Sequence, residues 1–225
     1  MSTASELLRL LQLTNASLPI GAFSYSEGIE TLVDAGRIKT PDSLQTWLAD
    51  GLTLGAVRIE AAVMLRARQA ALADDAPAVR SWNDWLGASR ETRELYDQSV
   101  QMGRSLLRLL ASLPPGVPPW AEAWTDPCHF PIAFGLAAAV WEIEAPTAAL
   151  GYLQSWAANL VSAAVRLVPL GHTDGQRVLA GLAGTIETAA ESVLAMADDD
   201  LAGSNWGLAL ASMSHETLYC RLFRS

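Results

Sequence analysis

The stretch Leu95-Tyr96-Asp97-Gln98-Ser99-Val100-Gln101-Met102-Gly103-Arg104-Ser105-Leu106-Leu107-Arg108-Leu109-Leu110-Ala111-Ser112-Leu113 decides the fold class. Leu95, Met102, Leu106, Leu109 and Leu113 recur at three-, four- and seven-residue spacing, which makes one apolar stripe on an α-helix. Ser89 is placed to cap this helix, which would then run to about Ser112. Arg93 and Asp97, four apart on its outer side, would add about 0.3 kcal/mol.

The same helical spacing extends in both directions, and alternating Val/Ile/Thr-rich runs are nearly absent. Ser5 is a cap for a first helix whose Leu7, Leu8, Leu10 and Leu11 would face inward. A loop from Thr14 to Ser24 follows, then a helix from Ser26 to Ala35, ended by Gly36. Pro41 opens a third, running from Asp42 towards Val57 and on to Ala73, with Gly51 and Gly55 able to bend it. Pro77 to Leu86 carries Trp82 and Trp85 on one face. Beyond the long helix, Pro114-Pro115-Gly116-Val117-Pro118-Pro119 is a stiff crossover. Helices are then expected near 132–143, 146–168, 174–197 and 205–222. The expectation is an all-α protein, one helical bundle of about 9–11 helices over residues 1–225, with 114–119 as an internal crossover.

Composition supports a packed core: of 225 residues, 51% are hydrophobic and 17% charged. The formal net charge is −9. Without a basic run the chain cannot neutralise a row of phosphates, so nucleic acid is not an expected partner. Lys39 is the only lysine, and it lies in Ile38-Lys39-Thr40, which excludes a P-loop. Cys128 and Cys220 form no CxxC pair, and two reduced thiols suit a reducing compartment, most simply the cytoplasm. Ala145 to Val165 has the length of a membrane span, but Pro146, Gln154, Ser155, Asn159 and Ser162 interrupt it. A buried helix accounts for it, and no membrane partner is expected.

The side chains offer little catalysis. His129, His172 and His215 form no ligand pair at helical spacing. Asp198-Asp199-Asp200 lacks the ligand pattern of a calcium loop. No GxSxG elbow surrounds Ser24. Glu27 and Glu30, three apart, would share a helix face. No cofactor or resident metal is expected. The alternative to a non-enzyme is a helical enzyme or metal-binding protein on the same scaffold.

Three polar clusters exceed what a helix needs. Gly21 to Gly28 places Phe23, Tyr25, Ser26 and Glu27 just before a helix, with Glu30 following. Ser89 to Glu94 brings Arg90, Glu91, Arg93 and Glu94 together. Tyr219 to Ser225 interleaves Leu222 and Phe223 with Arg221 and Arg224. Aromatic residues and arginine in such combinations suit interfaces.

At these clusters the chain resembles the UreF family of urease accessory proteins. The matching segments are Leu18 to Ser26 with Gly28 and Glu30, and Ser89 to Leu95 with Gln101-Met102-Gly103. Further matches are His129-Phe130-Pro131, Pro169-Leu170-Gly171 with Thr173 to Gln176, Ser214-His215-Glu216-Thr217, and Arg221 to Ser225. They cover nearly the whole chain in family order. His172, where glutamine is expected, and Cys220, where serine is expected, depart from the pattern.

The resemblance implies an all-helical homodimer that is not an enzyme. It implies binding to UreD/UreH, recruitment of the GTPase UreG, docking on apo-urease, and coupling of GTP turnover to nickel insertion. It assigns partner contacts to the residues just named in the three clusters, with Gln101, Gln176, His215, Glu216 and Ser225. Segment 221–225 would be disordered until UreD/UreH binds. His172 or Cys220 would be a nickel contact only in transit.

Overall fold

A computed structural model describes residues 4–203 and 205–225. Eleven α-helices and no strand are present among them. α1 is Ala4–Leu13, α2 Ile29–Asp34, α3 Pro41–Leu54, α4 Ala56–Leu72, α5 Ala76–Ala88 and α6 Arg93–Ser112. α7 is Pro119–Glu122, α8 Phe130–Val140, α9 Ala145–Leu167, α10 His172–Ala195 and α11 Trp206–His215.

α8 is the axis of the fold. Its sequence is apolar all round, and Pro131 to Ala139 are buried without exception, as such a helix requires. α4 and α6 pack along it, α9 packs on α4 and α10, and α3 lies against α10. Two glycines set the spacing. A Cβ on Gly135 would sit 2.5 Å from the Met64 carbonyl oxygen, and one on Gly103 would sit 2.1 Å from that of Cys128. α6 therefore meets the start of α8 backbone to backbone, across the 114–119 crossover.

Several boundaries differ from expectation, each for a local reason. The long helix starts at Arg93 because Thr92, not Ser89, accepts from the Leu95 N–H. Ser89 instead closes α5, its hydroxyl donating to the Leu86 carbonyl. Arg90 and Glu91 thereby lie in the connection. The helix expected from Ser26 starts at Ile29, because Glu27 (φ 49°) and Gly28 (φ 76°) are left-handed. Glu27 and Glu30 consequently share no helix face. At Gly28 the need is double, since a Cβ would also lie 2.8 Å from that of Ala211 on α11. Gly55 divides the third expected helix into α3 and α4.

Ser5 lies inside α1, and Leu7, Leu8 and Leu11 are exposed. Only Leu10, seated over Gly151, and buried Leu13 join the core. The long apolar helix able by length and composition to cross a membrane is α10, not 145–165. α10 carries Asp174, Arg177, Glu187 and Glu191 and packs on α9 and α3. α11 ends at His215, well short of 222.

Candidate partner-binding site

Segment 216–225 folds back onto the body. The Ser26 N–H and hydroxyl both donate to the Ser225 carbonyl oxygen, at 2.8 and 2.6 Å. The Arg224 N–H donates to the Ser24 carbonyl. Glu30, at the start of α2, accepts from the Leu222 N–H at 2.6 Å and the Phe223 N–H at 3.0 Å. Phe223 and Ser225 are buried, and the Arg166 guanidinium lies 4.4 Å from the Phe223 ring centre. The segment expected to be disordered in the free chain is thus held by its own protein.

His215 is the buried pivot of this clamp. Its Nδ1 is 2.8 Å from Glu94 and its Nε2 is 3.1 Å from Glu30. Each carboxylate contact needs a proton, so the imidazole bridges both acids by hydrogen bonds. Arg221 completes the ring on Glu94 at 3.1 Å. Beside it the hydroxyls of Thr92 and Ser212 are 2.8 Å apart.

A second network lies deeper. Glu27 accepts from Gln98 Nε2 and from Trp156 Nε1, both at 2.8 Å. Glu60, on α4, pairs with Arg90 and accepts from the Tyr152 hydroxyl at 2.7 Å. Arg90 also donates to Ser99, whose hydroxyl meets His129 Nδ1 at 3.1 Å. Burial, with the nearby Glu60 charge, raises the Glu27 carboxyl from 4.5 to about 7. Burial, with Arg90, lowers His129 to about 4. Burial opposes the charge on Arg90, but Glu60 prevails and its pKa is raised. Burial and Glu60 likewise raise Tyr152. Apart from His129, these side chains line a cavity of about 170 Å³.

Gln98 joins the two networks. Its amide nitrogen holds Glu27, and its amide oxygen accepts from the Ser225 hydroxyl at 2.5 Å.

The structure brings most of the sequence-derived residues to one place. Tyr25, Ser26, Glu30, His215, Phe223 and Ser225 are buried in the clamp or against it. Phe23, Gln101, Glu216, Arg221, Leu222 and Arg224 are exposed around it, and Arg224 reaches Gln101 at 3.3 Å. Glu94 sits at the clamp's edge, Arg90 and Glu27 at the cavity, and Glu91 half-buried between. Arg93 faces solvent beside Asp97. Gln176 stands apart, exposed on α10. Sequence reading missed Glu60, Gln98, Tyr152 and Trp156. A signal existed for two: Gln98 falls on the apolar stripe between Leu95 and Met102, and Glu60 interrupts the apolar run Ile59 to Val63.

Three chain segments far apart in sequence meet here, and all three are among those that carried the resemblance. Residues 38–183 match the UreF family model. The chain belongs to the UreF family. It is 51% identical to a urease accessory protein UreF from Nostoc sp., over 99% of this chain and 97% of that one. It is 47% identical to one from Synechocystis sp., over the whole of both. A UreF from Azoarcus sp. is 43% identical over 97% of this chain and 95% of its own. A UreF protein is named as an accessory to urease and not as the enzyme. Among the described residues no group of three His, Cys, Asp or Glu side chains is arranged to hold a metal ion. His172 is exposed at the start of α10, and Cys220 is exposed after α11.

Proposed function

We propose that this UreF-family chain scaffolds a complex of UreD/UreH, UreF and UreG on apo-urease and couples the GTPase to nickel insertion. The observation carrying this reading is the clamp, where residues 22–30, 92–101 and 215–225 form one composite surface. Its buried members fix the backbone, and its exposed members, Phe23, Gln101, Arg221, Leu222 and Arg224, are left to meet a partner. Arginine and large apolar side chains on a rigid support suit that task. Nickel is cargo in this scheme, passing to urease without a resident site here.

The chain is read as one domain over 1–225, since one continuous core spans the 114–119 crossover. A homodimer in the cytoplasm completes the reading. The exposed apolar side chains of α1 and α11 are available for association.

The test is co-purification with cognate UreD/UreH and UreG, followed by nickel-dependent urease activation with and without this protein. A stable complex and activation that requires the chain support the reading. Deletion of residues 221–225 should then abolish the complex. Folded partners that form no complex and show no effect would reverse it in favour of a scaffold-sharing enzyme or metal-binding protein. That alternative predicts substrate turnover or stoichiometric metal in the purified chain alone.

A further inference from the structure

Gln98, buried on α6, serves the clamp and the cavity network with a single carboxamide. Its Nε2 donates to Glu27 Oε1 at 2.8 Å, and its Oε1 accepts from the Ser225 hydroxyl at 2.5 Å. Ser225 is 1% exposed, and Gln98 Oε1 takes its hydroxyl proton. Glu27 Oε2 accepts from Trp156 Nε1. The cavity that Glu27 lines reaches the surface at exposed Asn15, Ala16 and Phe23. Glu27 therefore exchanges protons with solvent while Gln98 and Ser225 stay enclosed.

The two protonation states of Glu27 ask opposite things of that carboxamide. A carboxylate only accepts, so Gln98 must turn its nitrogen to Glu27 and thereby its oxygen to Ser225. An indole N–H only donates, so Trp156 keeps Oε2 an acceptor in the protonated acid and the O–H falls on Oε1, facing Gln98. An amide nitrogen does not accept. The carboxamide then turns over about its soft terminal torsion, giving its oxygen to Glu27 and its nitrogen to Ser225. The Ser225 hydroxyl becomes an acceptor, and its own proton is left in a buried place without Gln98. The ionisable groups facing Glu27 are Glu60 on α4, Arg90 before α6 and Tyr152 on α9. Burial and Glu60 raise the Glu27 carboxyl to about 7, outweighing Trp156, Gln98 and Arg90, which lower it. Both states are therefore populated near neutral pH.

We propose that Glu27, acting through Gln98, is a proton-operated latch on segment 222–225, closed when Glu27 is ionised and loosened when it is protonated. The closed segment favours the carboxylate, so closure strengthens as pH rises. Whole-chain stability moves the other way, because a carboxyl raised from 4.5 to about 7 loses its contribution as pH rises through 7. Opposite pH slopes for opening of the segment and for global unfolding are the mark of the latch. Leu222 and Arg224 lie on the composite surface, so protonation of Glu27 withdraws part of it. That last consequence alone rests on the assembly proposed above; the latch itself is a property of the free chain.

The experiment is amide hydrogen exchange of the full free chain at pH 6 and pH 8, corrected for the intrinsic pH dependence of exchange. The reporters are the Ser26 N–H, which donates to Ser225, and the N–H groups of Leu222, Phe223 and Arg224. Their protection should rise roughly three- to tenfold from pH 6 to pH 8, the worth of one hydrogen bond. Glu27→Gln should remove that rise. So should Ser225→Ala, which keeps the backbone bond to Ser26. The clamp's own ionisable groups, His215, Glu30, Glu94 and Arg221, with Tyr25, Arg166 and Arg224 at its edge, are common to wild type and both variants, so the difference isolates Glu27. Equal wild-type protection at the two pH values, or protection that falls with pH, would overturn the proposal even if neither variant folds. A rise that persists undiminished in either variant would overturn it too.

Discussion

The clamp and the cavity are built from the same side-chain types and end in opposite states. In the clamp every acid oxygen is taken: Glu30 by two backbone N–H groups and His215, Glu94 by His215 and Arg221. In the cavity Glu60 is satisfied, while Glu27 keeps neutral donors and empty space beside it. The difference teaches what a buried polar network is for. A saturated network fixes a backbone, because each removal strands a partner. An unsaturated one leaves a carboxyl whose charge is poorly compensated, and burial with the neighbouring Glu60 moves its titration up to about 7.

The sharpest way to break the contrast is Glu30→Ala. It strands the Leu222 and Phe223 N–H groups and one face of buried His215 together. The expected loss is about 3–5 kcal/mol in urea unfolding. Amide exchange of residues 222–225 should rise to that of an open segment. Protection equal to wild type would show that the clamp does not hold that segment.

Next in size is a pair of opposite pH effects within the cavity network. Glu27, raised to about 7, adds stability fully present below its unfolded value of 4.5 and lost as pH rises through 7. His129, lowered to about 4, adds stability present above 6.5 and lost as pH falls through 4. Glu27→Gln should therefore gain on wild type by roughly 2–3 kcal/mol between pH 4.5 and pH 7.5. His129→Gln should move the other way over the same interval. Parallel profiles would place the two groups in ordinary, solvated surroundings.

A smaller contrast concerns the thiols. Cys128 lies in the core, where burial pushes it up to about 12, and Cys220 lies exposed beside the clamp. A disulfide reagent should titrate one thiol rapidly in the native protein and the second only on unfolding. Two fast thiols would mean that the contact between α6 and the start of α8 opens readily.

The smallest effect belongs to Arg93–Asp97, a solvent-exposed pair that belongs to neither network. Its double removal should cost no more than about 0.5 kcal/mol. A larger loss would show that the first turn of α6 carries load for the clamp.

How much of this was legible in sequence depended on whether the signal was local. Periodicity gave α6, α9 and α10 to within a few residues, and Pro41 marked the start of α3. Ser89 misled because Ser and Thr both cap, and only the packing of Thr92 on Ser212 chooses between them. α1 misled because an apolar pattern does not say how much of the face finds a partner. The clamp residues were readable as motifs, yet the motif could not say that Glu27 and Glu30 point into different networks. That divergence rests on two consecutive left-handed residues, Glu27 and Gly28. Tyr152 and Trp156 were hidden altogether, since their role exists only where α4 and α9 cross behind the 21–28 loop.

The bond from Ser26 to Ser225 joins residues 199 positions apart. On a ribosome adding about 5–20 residues per second, the intervening chain takes roughly 10–40 s to appear. Throughout that interval Ser26, Glu30 and Gln98 have no tail to hold. Closure of the clamp is therefore a late event of biosynthesis, and a nascent chain stalled before residue 222 carries an unmatched acidic notch instead of a finished surface.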